Sequence, residues 1–295
     1  MTVSISASAV KELRQITDAP MMDCKKALVQ AEGNMDDAIQ LLREKLAIKA
    51  DKRALKVAAE GVVSMAVSDD NAKGVILELN CETDFVSRDA NFVSFSKALI
   101  SRATETFTCD ATELMSLSLS ADDDTAFSVA CKELASKTGE NVQLRRVSGV
   151  EGVCVGGYLH GQKIGVLVQL DKMNSELAKD VAMHIAATNP QAIDASGLDQ
   201  DLLAKEREIY TNQAKESGKP EAIIAKMVEG RVAKFQQEVC LVSQPFVKNP
   251  DQTVAELLSQ HNASVVSFVR YELGEGIEKE TVDFASEVQA QIKGE

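Results

Sequence analysis

Asp84 and Phe85 set a carboxylate beside a large apolar ring in the run Asn80-Cys81-Glu82-Thr83-Asp84-Phe85-Val86-Ser87-Arg88. The chemistry open to such a pair is recognition: the ring offers area to bury and the carboxylate a charge to place. The preceding Gly74-Val75-Ile76-Leu77-Glu78-Leu79 reads as a strand, and Arg88-Asp89-Ala90-Asn91 as turn and cap before a helical run from Phe92. Phe85 is therefore expected on a loop. From this window alone the ring can be a lid over the core or a wedge for a partner.

Bond-making chemistry finds little support. The histidines are His160, His184 and His261, none at i, i+4 spacing and none beside a run of carboxylates, which argues against a metal site. Cys154 and His160 could be imagined as nucleophile and base, but the thiol falls in a predicted strand and no orienting acid stands out. His160 reads as a hairpin-tip contact or a plain turn residue. His184, with Val181, Ile185 and Ala186 around it, reads as a core histidine. Ser217-Gly218-Lys219-Pro220 lacks the upstream glycine and the closing Ser or Thr of a phosphate-binding loop. No cofactor is expected, and the chain is not read as an enzyme.

The 295 residues carry 32 basic and 45 acidic side chains, a net charge of −13, which disfavours direct nucleic-acid binding. The first 56 residues hold ten basic and eight acidic groups, so the acid lies in the remainder and the start reads as a separate module. No signal-like start and no run of about 18 apolar residues is present, so a soluble, cytoplasmic protein without membrane contact is expected. The six cysteines form no C-x-x-C pair and read as reduced thiols.

The expected fold class is α+β. Residues 1–54 read as an N-terminal three-helix module: Val10, Leu13 and Ile16 mark one face, Cys24, Ala27, Leu28 and Ala31 a second, and Ala38, Leu41 and Leu42 a third, with Gly33 as stop and Asn34 as cap. The adjacent Met21 and Met22 cannot both enter so small a core. With Lys25 and Lys26 they form either a partner patch or loose filler beside a solvated lysine pair.

A repeat organises the rest. Glu60-Gly61-Val62-Val63 recurs as Glu151-Gly152-Val153-Cys154, and Gly74 to Leu79 as Gly165 to Leu170, both at an offset of 91 residues. The helices that follow are offset by about 85, so the first copy holds about six extra residues, placed at Thr83-Asp84-Phe85-Val86. A scaffold without this loop exists in the same chain, which favours a role for Phe85 beyond packing. Each copy continues to a further helix and third strand, giving a duplicated β-β-α-α-β core with helices on one face of each sheet. The expected layout is 55–147 for the first copy, 148–276 for the second, a coiled-coil hairpin inserted at about 198–241 with Leu202, Leu203, Ile209 and Tyr210 on one apolar stripe, and a C-terminal helical module over 277–295 with Phe284, Val288 and Ile292 at i, i+4 and i+8; a lysine-rich segment, Lys45 through Lys56, links the first module to the body.

The segments Leu13 to Thr17 with Met21 to Leu28, and Glu78 to Arg88, together with Gln244-Pro245-Phe246-Val247 and Gly274-Glu275-Gly276-Ile277-Glu278, resemble bacterial elongation factor Ts over essentially the whole chain. The resemblance implies a guanine nucleotide exchange factor of translation elongation. Its protein partner would be the GTPase elongation factor Tu, in an assembly that could be a dimer of heterodimers. It also implies that the N-terminal module is ubiquitin-associated-like and that Asp84 and Phe85, flanked by Thr83 and Val86, enter the GTPase to disturb its magnesium and phosphate site. Met21, Met22, Lys25, Lys26, Thr138, Gly139 and His160 match further contact positions. Pro20 stands where the family usually has Gly, and Thr138 where an aliphatic residue is common. The alternative is a non-exchanging adaptor or chaperone.

Overall fold

The computed structural model describes residues 5–17, 19–42, 44, 55–120, 122–216 and 220–278. It is a mixed α+β protein. At the N-terminus, α1 (Ala7–Thr17), α2 (Met21–Gln30) and α3 (35–42) enclose Leu13, Cys24, Leu28, Ala38 and Leu42. Pro20 opens α2 at φ −55°, where its missing amide costs nothing, and its carbonyl accepts from Asp23 and Cys24. Gly33, at φ 90°, closes α2 by donating to the Leu28 carbonyl. Ile16, expected in the core, is 58% exposed. The inward stripe runs through buried Val10 and Leu13 to half-buried Thr17 instead, with the Thr17 hydroxyl donating to the Leu13 carbonyl at 2.7 Å.

The first half of the core comprises β1 (Glu60–Val67), β2 (Lys73–Cys81), α4 (Asp84–Ser87), α5 (Ala90–Thr106), α6 (Ala111–Ser116), α7 (Phe127–Thr138) and β3 (Gln143–Glu151). The second comprises β4 (Cys154–His160), β5 (Ile164–Leu170), α8 (Ser175–Thr188), α9 (Gln200–Lys215), α10 (Glu221–Val239), β6 (Pro245–Phe246), β7 (Asn249–Thr253), α11 (Val254–Gln260) and β8 (Val265–Glu272). The sheets have matching antiparallel orders, β1-β2-β3 and β4-β5-β8, and each central strand carries a register shift near its end, at Glu78/Leu79 and at Gln169/Leu170.

Alternation along β2 sorts its side chains into two cores. Val75, Leu77, Leu79 and Cys81 meet Phe92, Leu99 and Phe127 of the helices, whereas Ile76 meets Val63, Val155, Leu167 and Tyr271. The face of each sheet opposite its helices is thus covered by the other sheet, and the helices lie outside. β3 runs on to Glu151, and β4, the first strand of the second hairpin, starts at Cys154. The short α6 and the β6–β7 ladder add to the expected elements. From the register-matched Glu78 and Gln169 to the helix caps Asp89 and Asn174 the chain runs eleven residues (89−78) in the first copy and five (174−169) in the second, so the first junction is longer by six, as the offsets suggest.

Helices α9 and α10 lie along one another around Ala214, Val228 and Val232, flanked by an Arg207–Glu229 ion pair and an Arg231–Gln213 hydrogen bond of 2.7 Å. Ile209, expected on the apolar stripe, is 46% exposed because Leu203, Tyr210 and Ala214 form the stripe of α9. Among the described residues no helix is long and apolar enough to cross a membrane. Residues 45–54 of the expected linker and the stripe Phe284, Val288 and Ile292 lie outside the described residues.

Candidate functional site

Asp84 and Phe85 lie on a one-turn helix rather than the expected open loop. Thr83 is its N-cap, with Oγ1 accepting from the Val86 amide at 3.5 Å. The Ser87 hydroxyl returns to the Asp84 carbonyl at 2.9 Å, and Arg88 Nη2 lies 2.8 Å from Asp84 Oδ2. The sequence supports this turn because a capping threonine precedes an acid in the first turn, where the helix dipole favours it. Val86 leans on the Phe92–Leu99 core, while Phe85 is 82% exposed. The ring is therefore not a lid.

What holds this turn is a pair of acids crossing between distant segments. Glu140 Oε2 accepts from the backbone amides of Glu82 at 3.1 Å and Thr83 at 3.0 Å, while Glu140 Oε1 accepts from the Thr83 hydroxyl at 2.6 Å. In return, Glu82 Oε1 accepts from the Asn141 amide at 2.6 Å, and Asn141 Nδ2 donates to the Lys56 carbonyl at 2.7 Å. Thr138 ends α7 and Gly139 caps it at φ 73°. The structure thus brings two sequence-predicted positions, Thr138 and Gly139, to the base of the helix that carries Asp84 and Phe85. Gly61, paired with Asn80, sits at φ 139°, and any Cβ there would fall 2.1 Å from the Leu79 carbonyl oxygen.

Below the turn, fully buried Glu78 accepts from Arg145 Nη1 at 3.0 Å, Arg146 Nε at 2.5 Å, Asn80 Nδ2 at 3.1 Å and the Gly274 amide at 2.8 Å. Burial alone would raise this carboxyl's pKa; the Gly274 amide, Asn80 and Arg146 more than offset it and hold the group below its ordinary range. Arg146 also donates to the Glu272 carbonyl at 2.9 Å and lies 4.0 Å from the Tyr271 ring. The end of β8 is thereby fastened to the first sheet.

His160 ends β4, with Nδ1 3.2 Å from the Tyr158 hydroxyl, beside Gly161 and Gln162 at φ 56° and 57°. The Gln162 carbonyl accepts from the Val63 amide at 2.8 Å, tying this tip to β1. Met21 and Met22 are 49% and 62% exposed, so both, not one, face outward, alongside exposed Lys25 and Lys26. They form a second patch, on the three-helix unit.

The imagined nucleophile and base do not meet: Cys154 and His160 occupy opposite ends of a seven-residue strand, roughly 20 Å apart at strand rise. Cys81 donates to the Thr83 carbonyl at 3.1 Å, and burial, reinforced by the charges of Glu140 and Glu60, pushes its thiol to about 12. It is an inert thiol. His184 is fully buried, with Nε2 2.9 Å from Gln244 Oε1 and Nδ1 accepting from the Val247 amide at 3.2 Å, as expected of a satisfied core histidine. Among the described residues no cluster of three or more His, Cys, Asp or Glu side chains could hold a metal ion.

Sequence reasoning missed Glu140 and Glu78. The partners of Glu140 at Glu82 and Thr83 and the arginines that hold Glu78 lie 57–68 residues away in the chain, beyond any local periodicity. The repeat carried a partial signal for Glu140: between the left-handed residue and the third strand the first copy holds an acid, where the second holds only Ala263 and Ser264.

The protein thus projects an apolar ring on a short, firmly anchored helix within a duplicated α+β core. The family described as Elongation factor TS matches residues 82–275. Curated relatives named Elongation factor Ts include one from Hahella chejuensis, 50% identical over 292 residues and covering 99% of both chains. Another, from Thioalkalivibrio sulfidiphilus, is 49% identical over 99% of this chain and 100% of its own. A third, from Pseudomonas aeruginosa, is 48% identical over 98% and 97%. The chain belongs to the elongation factor Ts family.

Proposed function

We propose that this protein is a cytoplasmic guanine nucleotide exchange factor that binds elongation factor Tu carrying GDP and accelerates GDP release without making or breaking a covalent bond. The carrying observation is Phe85, an 82% exposed ring on a helix whose base is fixed by Glu140 and Glu82, in a chain of this family. Asp84 and Phe85, with Thr83 and Val86, form the inserted wedge. Met21, Met22, Lys25 and Lys26 of the three-helix, ubiquitin-associated-like module, with Thr138, Gly139 and His160, hold the partner in register, and the α9–α10 hairpin is the family's coiled-coil arm.

Linkage limits what the wedge can do. An exchange factor stabilises the nucleotide-free GTPase, and nucleotide must weaken its binding by the same factor. A ten-thousand-fold faster release needs about 5.5 kcal/mol of differential stabilisation. Burying one phenylalanine supplies roughly 1.5–3 kcal/mol before ordering costs. The remaining contacts must therefore contribute, and a ring presented on an already ordered helix keeps that ordering cost small.

Stopped-flow release of a fluorescent GDP analogue from elongation factor Tu tests this reading. The double variant Asp84→Ala, Phe85→Ala is expected to lower the saturating release rate by roughly a hundredfold, with a much smaller change in the half-saturating concentration. A saturating rate equal to wild type would end the wedge mechanism. Binding by the wild-type protein with no acceleration would replace exchange by an adaptor role.

A further inference from the structure

The geometry points to Glu140 as the positioning residue of the Asp84–Phe85 wedge, a role that rests on the exchange reading above. Its two carboxylate oxygens divide the work. Oε2 gathers the amides of Glu82 and Thr83, and Oε1 accepts the Thr83 hydroxyl proton at 2.6 Å. That last bond fixes the hydroxyl's rotor, so the oxygen lone pairs of Thr83 are turned toward the Val86 amide that it caps. One side chain thus sets both the path of the chain entering α4 and the cap that starts it. Hydrogen bonds to an ionised acceptor are the strong class, and three converge here on a half-buried group.

The second copy of the core supplies the control. Asp171 follows β5 as Glu82 follows β2, and Asp171 Oδ1 accepts from the Ser264 amide at 2.7 Å as Glu82 Oε1 accepts from the Asn141 amide. Both copies therefore staple the junction to the segment before the third strand. Gly139 at φ 73° and Asn262 at φ 50° are the left-handed residues before the third strands, and the connections then differ: residues 140–143 precede Leu144 in the first copy, whereas only Ala263 and Ser264, neither an acid, precede its register counterpart Val265 in the second. The copy without a wedge helix keeps the staple and lacks the carboxylate. Glu140 is accordingly an addition that serves the wedge, not a requirement of the shared fold.

The closing experiment is release of a fluorescent GDP analogue from elongation factor Tu by full-length wild type and by Glu140→Ala, Phe85→Ala and the double variant, with thermal melts of each. Glu140→Ala is expected to lower the saturating release rate by roughly tenfold or more, the scale of a misplaced reacting group, while the half-saturating concentration changes by less than about threefold. In the Phe85→Ala background the same substitution is expected to change the rate by less than about twofold, because there is no ring left to position. A wild-type rate for Glu140→Ala, or equal fractional losses in both backgrounds, overturns the positioning role. Should Glu140→Ala fail to fold, Glu140→Gln, which keeps one acceptor oxygen, is held to the same two criteria. No acceleration by wild type would instead overturn the exchange reading itself, and a slow Phe85→Ala beside a fast Glu140→Ala would overturn the positioning role alone.

Discussion

The strand-to-helix junction after the central strand is built twice in this chain, and the two versions solve different problems. In the second copy residues 171–174 run directly into α8, with Asp171 stapled to Ser264 and Asn174 capping the helix through the Leu177 amide at 3.1 Å. In the first copy the staple and the cap persist, as Glu82 to Asn141 and Asp89 to the Asn91 and Phe92 amides, but α4 stands between them and Glu140 braces it. Whatever both copies share is scaffold. Whatever only the first has is where function is to be sought.

The same contrast appears one turn deeper. Glu78 and Gln169 occupy matching places beside matching register shifts. Gln169 serves its own sheet, accepting from the Ser267 hydroxyl at 2.9 Å. Glu78 serves both, receiving Arg145 and Arg146 from β3 and the amide of Gly274 from beyond β8. Its neutralisation removes the one buried carboxylate shared by two guanidinium groups that are each about three-quarters buried, leaving Arg145 the Glu275 carbonyl and Arg146 the Glu272 carbonyl and the Glu275 carboxylate. Glu78→Gln is therefore expected to cost about 3 kcal/mol in urea unfolding, the low end for breaking a buried ion pair, whereas Gln169→Ala should cost about 1 kcal/mol. Similar losses from the two would mean that the charged network is no more of a tie than its neutral counterpart.

The staples should behave more alike. Each is a carboxylate accepting one backbone amide, so Glu82→Ala and Asp171→Ala are each expected to lower stability by about 1–2 kcal/mol. They should part in exchange: Glu82→Ala slows saturating GDP release because it loosens the segment under α4, and Asp171→Ala leaves it within about twofold. Paired melts and stopped-flow traces on the two variants measure both. Slowing by Asp171→Ala of the same size would show that the junctions act on exchange only through global stability.

Much of this contrast was legible in the chain because the constant 91-residue offset aligns the two hairpins, and the shorter offset of the helices marks where extra residues sit. Capping residues also announced themselves, since Asn34 and Asp89 act through amides two or three positions away. Two things were not legible. Helical periodicity left Ile16 and Ile209 inside because an apolar residue at the edge of a stripe obeys the pattern whether or not a neighbour covers it. The stacking of one sheet on the other, through Ile76, Val155 and Leu167, and the reach of Glu140 to Thr83 join segments far apart in sequence, and no local window carries that information.

The smallest expected effect concerns the outer helices, where Leu99 of α5 and His184 of α8 hold equivalent places, ten residues beyond their caps Asp89 and Asn174. Both are fully buried, but His184 spends its ring nitrogens on Gln244 and the Val247 amide, fastening the chain around β6 to α8. Burial lowers its pKa below the ordinary 6.5, with the Gln244 bond opposing in part. The folded state thus resists a proton that the unfolded state accepts, so this histidine's contribution is complete above pH 6.5 and declines as pH falls below it. The slope is at most about 1.4 kcal/mol per pH unit. Urea unfolding at pH 7.5 and 5.5 should show the decline in wild type and a smaller one in His184→Leu, which installs the first copy's residue. That variant should also be less stable at pH 7.5, because the Val247 amide and Gln244 lose their partner in a site too dry to replace it. An unchanged pH response would place the proton-sensitive group elsewhere, and the two helices would then differ in packing alone.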